Sequence, residues 1–267
     1  MRKTKALGQH FLTSRPALRK IVDVISPRKD ELVIEIGAGK GVLTFPLAER
    51  AGKVIAIEKD GNLIPFLLKN QRSNLVIRHE DVLRLDFRDL VGGEATFRGK
   101  VKLAGNLPYV ISSPLLFKAL ENRDLFTSCV FLLQKEVAER ISAGPGSKKY
   151  APLSILLQMH FDVRLCFTLA PGAFSPPPRV QSSLVALTKR PRPLFPVVDE
   201  ARFHRFLRTA FAQRRKTLLN NLKSARYPLG LLQETFRHLS LTETVRAEQL
   251  SIGQFADLFK TLGKGAL

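Results

Sequence analysis

The stretch from Leu32 to Gly41 constrains the fold more than any other part of the chain. An apolar run broken only by Glu35, Leu32 to Ile36, feeds directly into Gly37-Ala38-Gly39-Lys40-Gly41 and then into an amphipathic segment. Strand, glycine-rich turn and helix in that order open a crossover unit, and glycines at the turn let backbone approach a ligand closely. The spacing is not that of a dinucleotide reader. Gly37 and Gly39 would need a third glycine or alanine at position 42, where Val42 stands.

Short apolar runs continue to alternate with amphipathic segments as far as about Lys189, the pattern of a layered α/β domain. Strands are expected at Leu32–Ile36, Val54–Glu58, Leu75–His79, Val101–Ala104, Val130–Leu133, Arg164–Leu169 and Ser182–Thr188. Helices are expected near Val42–Ala51 and Asn62–Asn70. A third helix is expected over Leu115–Leu120, with Ser113 as its N-cap and Pro114 in its first turn. Right-handed crossovers between these strands make a parallel sheet. The stretch Pro171–Pro178 is too short and stiff for a crossover helix, so the two strands flanking it should run antiparallel. After Arg190-Pro191-Arg192-Pro193 the pattern turns to helix alone, with Phe203, Phe206, Leu207, Ala210 and Phe211 on one face. Two domains are expected, 1–190 and 191–267.

Basic side chains outnumber acidic ones 43 to 23, a formal net charge of +20. Such a balance implies a polyanionic partner. Arg202, Arg205, Arg208, Arg214, Arg215, Lys216, Lys223 and Arg226 cluster in the helical part; a solvated face is the alternative, but the cluster is more basic than solvation requires and suits nucleic-acid phosphates. Cys129 and Cys166 stand alone in apolar runs and read as core residues. Without Cys/His spacing no metal site is expected, and a zinc-dependent base deaminase is excluded. No apolar run is long enough to span a bilayer, and the first residues lack the apolar core of a secretory signal; a cytoplasmic protein is expected.

Glu58 closes the second strand 21 residues after Gly37. A carboxylate there can accept from both hydroxyls of a ribose. Asp81 follows the third strand at the same edge of the sheet, where it can accept from an adenine amino group. Taken singly, Glu58 also reads as a surface strand end and Asp81 as a helix cap. The fourth strand runs into Asn106-Leu107-Pro108-Tyr109. An aromatic amine is a poor nucleophile because its lone pair is delocalised into the ring. If Asn106 and a nearby backbone carbonyl accept from that amine, they aim the lone pair at an electrophilic methyl group and stabilise the charge that develops on nitrogen. Pro108 stiffens the loop and keeps Leu107 out of the helical region, and Tyr109 offers a face for an extruded base.

These segments, with His10-Phe11-Leu12 preceded by Leu7-Gly8-Gln9, Ile111-Ser112-Ser113-Pro114-Leu115-Leu116 and Phe174-Ser175-Pro176-Pro177-Pro178-Arg179-Val180, resemble the small-subunit ribosomal RNA adenine dimethyltransferases over nearly the whole chain. The resemblance implies a Rossmann-like seven-stranded methyltransferase sheet with its last strand antiparallel and a small all-helical C-terminal domain. It implies S-adenosylmethionine as cofactor, contacted by His10, Leu12, Gly37, Gly39, Glu58, Asp81 and Asn106. Asn106, Leu107, Pro108, Tyr109 and Phe174 would form the methyl-acceptor site, with Phe174 opposite Tyr109. The family has Asn at many of its counterparts of His10. The substrate implied is small-subunit rRNA in an assembling particle, held on the basic surface, and the protein is expected to be a monomer. Three rivals stay open: a large-subunit rRNA adenine dimethyltransferase, a DNA adenine methyltransferase, and a non-catalytic assembly factor on the same fold.

Overall fold

The computed structural model describes residues 10–97 and 99–264, so Leu7-Gly8-Gln9 lie outside the described residues. In chain order the main elements are β1 (Phe11–Leu12), α1 (Arg15–Ile25), β2 (Leu32–Ile36), α2 (Thr44–Arg50), β3 (Lys53–Glu58), α3 (Ile64–Leu68), β4 (Leu75–His79), α4 (Phe87–Gly92), β5 (Val101–Asn106) and α5 (Ser112–Glu121). They continue with β6 (Phe126–Gln134), α6 (Lys135–Ile141), α7 (Pro152–His160), β7 (Phe161–Leu169), β8 (Phe174–Ser175), β9 (Ser182–Lys189), α8 (Glu200–Ala210), α9 (Leu218–Ser224), α10 (Leu229–His238) and α11 (Ile252–Lys264).

A seven-stranded sheet has the order β4-β3-β2-β5-β6-β9-β7. The strands β4, β3, β2, β5 and β6 are mutually parallel, and β9 runs antiparallel to β6. All seven expected strands are present. Every residue of β2 is buried, as a central parallel strand covered on both faces requires. From β2 the chain moves outward to β4 and then returns to place β5 on the other side of β2. The loops after β2 and β5 therefore diverge, which opens a crevice at the carboxyl ends of the strands.

The helix α1 carries Ala17, Ile21, Val22 and Ile25 buried on one face. Fully burying a side chain such as Ile21, Val22 or Ile25 contributes roughly 1.5–3 kcal/mol. Ser14 caps the helix by accepting from the Ala17 backbone N–H. The cap marks the point where the N-terminal arm passes into the helix. That arm forms β1, which pairs antiparallel with β8 (Phe11 with Ser175, Leu12 with Phe174).

Two expectations are corrected. The helix α5 starts at Ser112, with Ile111 at the cap and no side-chain cap hydrogen bond, so Ser113 is not its N-cap. The reason is the 3-10 turn Tyr109–Ile111, which runs straight into the helix and satisfies the Ser112 N–H with the Tyr109 carbonyl. Cys129 is buried, and desolvation pushes its thiol up, but Cys166 on β7 is only half-buried. The described residues also form two compact units divided at 138/139, 161/162 and 189/190, so residues 139–161 group with the C-terminal helices and not with the sheet. Within this second unit the Gly146 N–H donates to the Glu248 carbonyl at 2.7 Å, and Arg214 Nη2 donates to the Tyr150 carbonyl at 2.9 Å. The buried Phe203 and Phe206 of α8 pack on Phe259 of α11, with ring centroids 5.2 and 5.5 Å apart.

Candidate active site

One cavity of about 490 Å³ lies in the first unit at the carboxyl ends of β2, β3 and β5. It is lined by every residue assigned to the site from sequence: His10, Leu12, Gly37, Gly39, Glu58, Asp81, Asn106, Leu107, Pro108, Tyr109 and Phe174. Six segments separated in sequence thus converge on a space of the size that takes a cofactor.

The glycine turn forms one wall. Gly37 and Gly39 have φ of +72° and +59°, a region that L side chains rarely adopt. A Cβ on Gly39 would also stand 3.2 Å from the Phe11 ring, because the N-terminal arm crosses directly over the turn. Glu58 holds the turn in place. Its Oε2 accepts from the Gly39 N–H at 2.8 Å and its Oε1 from the Asp60 N–H at 2.8 Å. Glu58 is 4% exposed, so it is not a surface strand end. Each oxygen keeps a second lone pair for a ligand hydroxyl.

Asp81 accepts from the Leu83 N–H at 3.0 Å through Oδ1, and its Oδ2 pairs with Lys59 Nζ at 2.8 Å. The hydrogen bond from Lys59, and then that from Leu83, hold its carboxyl below the usual range, so Asp81 is an acceptor at neutral pH. Sequence reasoning passed over two further charged residues. Glu35, on β2, is 1% exposed, lines the cavity, and carries an Oε2 with no hydrogen-bond partner among the described residues. Desolvation pushes its carboxyl up to about 8, the Thr44 hydroxyl opposing and the Glu58 charge adding to the shift. Its place in the motif was visible in sequence; its complete burial was not. Lys40 sits at the rim with its ammonium 5.3 Å from the Phe11 ring centroid and 5.5 Å from that of Phe66, bridging the arm to α3.

The second wall is the turn after β5. Asn106 is half-buried at the strand end, and its Nδ2 donates to the His10 carbonyl at 3.0 Å. Leu107 is buried, and its N–H donates to the Leu132 carbonyl of β6. Tyr109 shares a hydrogen bond of 3.0 Å with the Ser182 hydroxyl through its own hydroxyl. The ring lying against Tyr109 is that of His10, with centroids 5.6 Å apart and planes at 36°. Phe174 lines the same cavity from β8, buried beside Leu12. Val110, next to Tyr109, is 83% exposed on the rim.

In the second unit Arg205, Arg208, Arg214, Arg215, Lys216, Lys223 and Arg226 are exposed and Arg202 is half-buried. Buried Asn221 shapes the loop that carries Arg214, Arg215 and Lys216 by donating to the Ala210 and Gln213 carbonyls at 2.8 and 3.2 Å. Among the described residues no group of three or more His, Cys, Asp or Glu side chains is placed to hold a metal ion, and no helix is long and apolar enough to cross a membrane.

Known proteins are similar to this chain in sequence and fold. The chain is 43% identical over 268 residues to ribosomal RNA small subunit methyltransferase A of Geobacter metallireducens, covering 98% of this chain and 96% of that protein. The protein of the same name from Syntrophus aciditrophicus is 40% identical, covering 98% and 95%. Among solved structures, a dimethyladenosine transferase from Plasmodium falciparum superposes with a TM-score of 0.79 at 28% identity, covering 95% of this chain and 98% of that one. The 23S rRNA methyltransferase ErmE shares the fold, with a TM-score of 0.72 at 22% identity over 95% and 99% of the two chains. The sequence profile of the ribosomal RNA adenine dimethylases matches residues 1–264, and the chain belongs to that family.

Proposed function

We propose that this protein transfers methyl groups from S-adenosylmethionine to N6 of two adjacent adenosines near the 3′ end of small-subunit rRNA, giving N6,N6-dimethyladenosine, and that it acts as a cytoplasmic monomer on an assembling small-subunit particle. The observation that carries the chemistry is the tethered amide of Asn106 at the end of β5, opening on the same cavity as the glycine turn, Glu58 and Asp81. The choice of the small subunit is supported by the relatives that carry that name.

The residues present fit the cofactor. Glu58 has lone pairs left for ribose hydroxyls, and ionised Asp81 can accept from an adenine amino group. The orphaned, buried oxygen of Glu35 suits a cationic amino group, which would supply the partner that it lacks. S-adenosylmethionine, when bound, supplies a methyl group on a positively charged sulfur. Everything else falls to the chain. Gly37 and Gly39 admit the ligand against backbone, and buried Leu107 and Phe174 present an apolar wall that keeps water from the reacting atoms. Asn106 Oδ1 and a neighbouring backbone carbonyl accept from the target amino group, turn its lone pair along the line of transfer and stabilise the positive charge that grows on nitrogen. The methyl group's bond to sulfur would be exchanged for the new C–N bond, leaving S-adenosylhomocysteine, and the alkylated nitrogen, now acidic, would give its proton to solvent, so no strong base is needed.

Asn106→Ala tests the reading. The rate of methyl transfer in a single turnover should fall on the order of 100-fold or more, while cofactor affinity by calorimetry stays within about three-fold. A variant with the wild-type rate would remove Asn106 from the chemistry.

A further inference from the structure

A carboxamide can be turned end for end with almost no change in shape, so an asparagine that must accept a hydrogen bond needs a partner that dictates which end is oxygen. In this protein that partner is a backbone carbonyl of the N-terminal arm. Only Nδ2 of Asn106 can donate, and the His10 carbonyl can only accept; their 3.0 Å contact ties down the nitrogen and leaves Oδ1 as the accepting end.

The His10 carbonyl is itself held by the His10 side chain. The ring Nδ1 lies 2.7 Å from the Pro176 carbonyl. A carbonyl has no proton to give, so Nδ1 carries the hydrogen and donates. The ring also leans on Tyr109, whose hydroxyl is bound to Ser182. Next to His10, pairing of Phe11–Leu12 with Phe174–Ser175 and the donation from the Thr13 N–H to the Ala173 carbonyl at 2.8 Å fix the path of the backbone. His10 therefore touches the three segments that surround the acceptor site: the turn at Asn106–Tyr109, the loop after β8, and the arm.

We propose that His10 is a positioning residue for methyl transfer: tethered to the Pro176 carbonyl and braced on Tyr109, it holds the backbone carbonyl that locks the Asn106 amide with its oxygen toward the target amine. This rests on the role proposed for Asn106. It differs from the cofactor contact that the family resemblance implies for His10, because the effect is exerted through Asn106. A residue whose side chain places an N–H where Nδ1 now stands should substitute for histidine, and asparagine does so; leucine fills similar space without a donor.

The experiment compares His10→Leu, His10→Asn and Asn106→Ala, alone and as the double variant His10→Leu/Asn106→Ala, using full-length protein, S-adenosylmethionine and unmethylated small ribosomal subunits. The expected result is a single-turnover rate about ten-fold or more lower for His10→Leu, with cofactor affinity by calorimetry within about three-fold of wild type. His10→Asn should recover the rate to within about three-fold, and His10→Leu should cost nothing further on the Asn106→Ala background. A normal rate for His10→Leu beside a crippled Asn106→Ala would overturn the positioning role and leave the function standing. Full additivity of the two changes, or a loss of cofactor affinity that accounts for the whole effect, would overturn it as well. A normal rate for Asn106→Ala would instead refute the reading on which it rests.

Discussion

Glu35 offers a prediction whose size follows from its surroundings. In the unfolded chain its carboxyl ionises near the ordinary 4.5, whereas in the cavity wall burial raises that to about 8. Between those values the native state holds one proton more than the unfolded state, so stability falls as pH rises, by about 1.4 kcal/mol per pH unit. The penalty is absent below the lower value and stops growing above the upper one. Glu35→Gln has the same shape and cannot ionise. Its amide donors add a cost of roughly 1–3 kcal/mol that does not depend on pH. The stability of the variant minus that of the wild type should therefore grow by about 3 kcal/mol between about pH 5.5 and pH 7.5. Urea unfolding of both proteins without cofactor, followed by circular dichroism across that range, measures the difference. A difference independent of pH would show that Glu35 is ionised in the folded protein and that its orphaned oxygen has a partner after all.

Two further outcomes follow from the site and the basic unit. Glu58→Ala removes the carboxylate that accepts from the Gly39 N–H and faces the cavity; with two ligand hydrogen bonds to a charged acceptor gone, each worth roughly 1.5–3 kcal/mol, cofactor affinity by calorimetry should drop by about two orders of magnitude or more, and an unchanged affinity would take Glu58 out of the site. RNA affinity should fall steeply with salt, with a logarithmic slope of about 0.7–0.9 per phosphate neutralised, and the double change Arg215→Ala/Lys216→Ala should lower that slope by about one to two; a flat salt response would refute phosphate contact by this face.

The sheet was legible because parallel strands leave apolar runs of limited length: β2, with every residue buried, coincides with the expected boundaries, and so does the edge strand β4, of which only Leu75 is buried. Elements that depend on tertiary partners were not. The strands β1 and β8 span two residues each and exist only because they pair across more than 160 positions in sequence. Residues 139–161 join the second unit through contacts such as the hydrogen bonds to Arg214 and Glu248 and the Tyr150–Phe211 ring contact, which no local pattern in sequence announces. Ser113 had the chemistry of a cap, but the preceding turn at Tyr109–Ile111 already supplied the start of the helix.

Site residues divide in the same way. Glu58, Asp81 and Asn106 announce themselves as polar residues at strand ends, where the topology of the sheet sends them to one edge. Sequence does not reveal that Glu58 spends a lone pair of each oxygen on backbone N–H groups, that Glu35 is sealed from water, or that the ring against Tyr109 belongs to His10. Each is a matter of which surfaces meet. Lys40 falls in the same class, since its role at the rim depends on Phe11 and Phe66 arriving from different segments.

The reaction proposed for the cavity at the ends of β2, β3 and β5 is adenine N6 methylation of small-subunit rRNA. The direct measurement is incubation of the protein with labelled S-adenosylmethionine and unmethylated small or large ribosomal subunits, followed by mapping of the modified base. Label should appear on two adjacent adenosines near the 3′ end of the small-subunit RNA, recovered as N6,N6-dimethyladenosine. Label confined to the large subunit, or none on either, would contradict it.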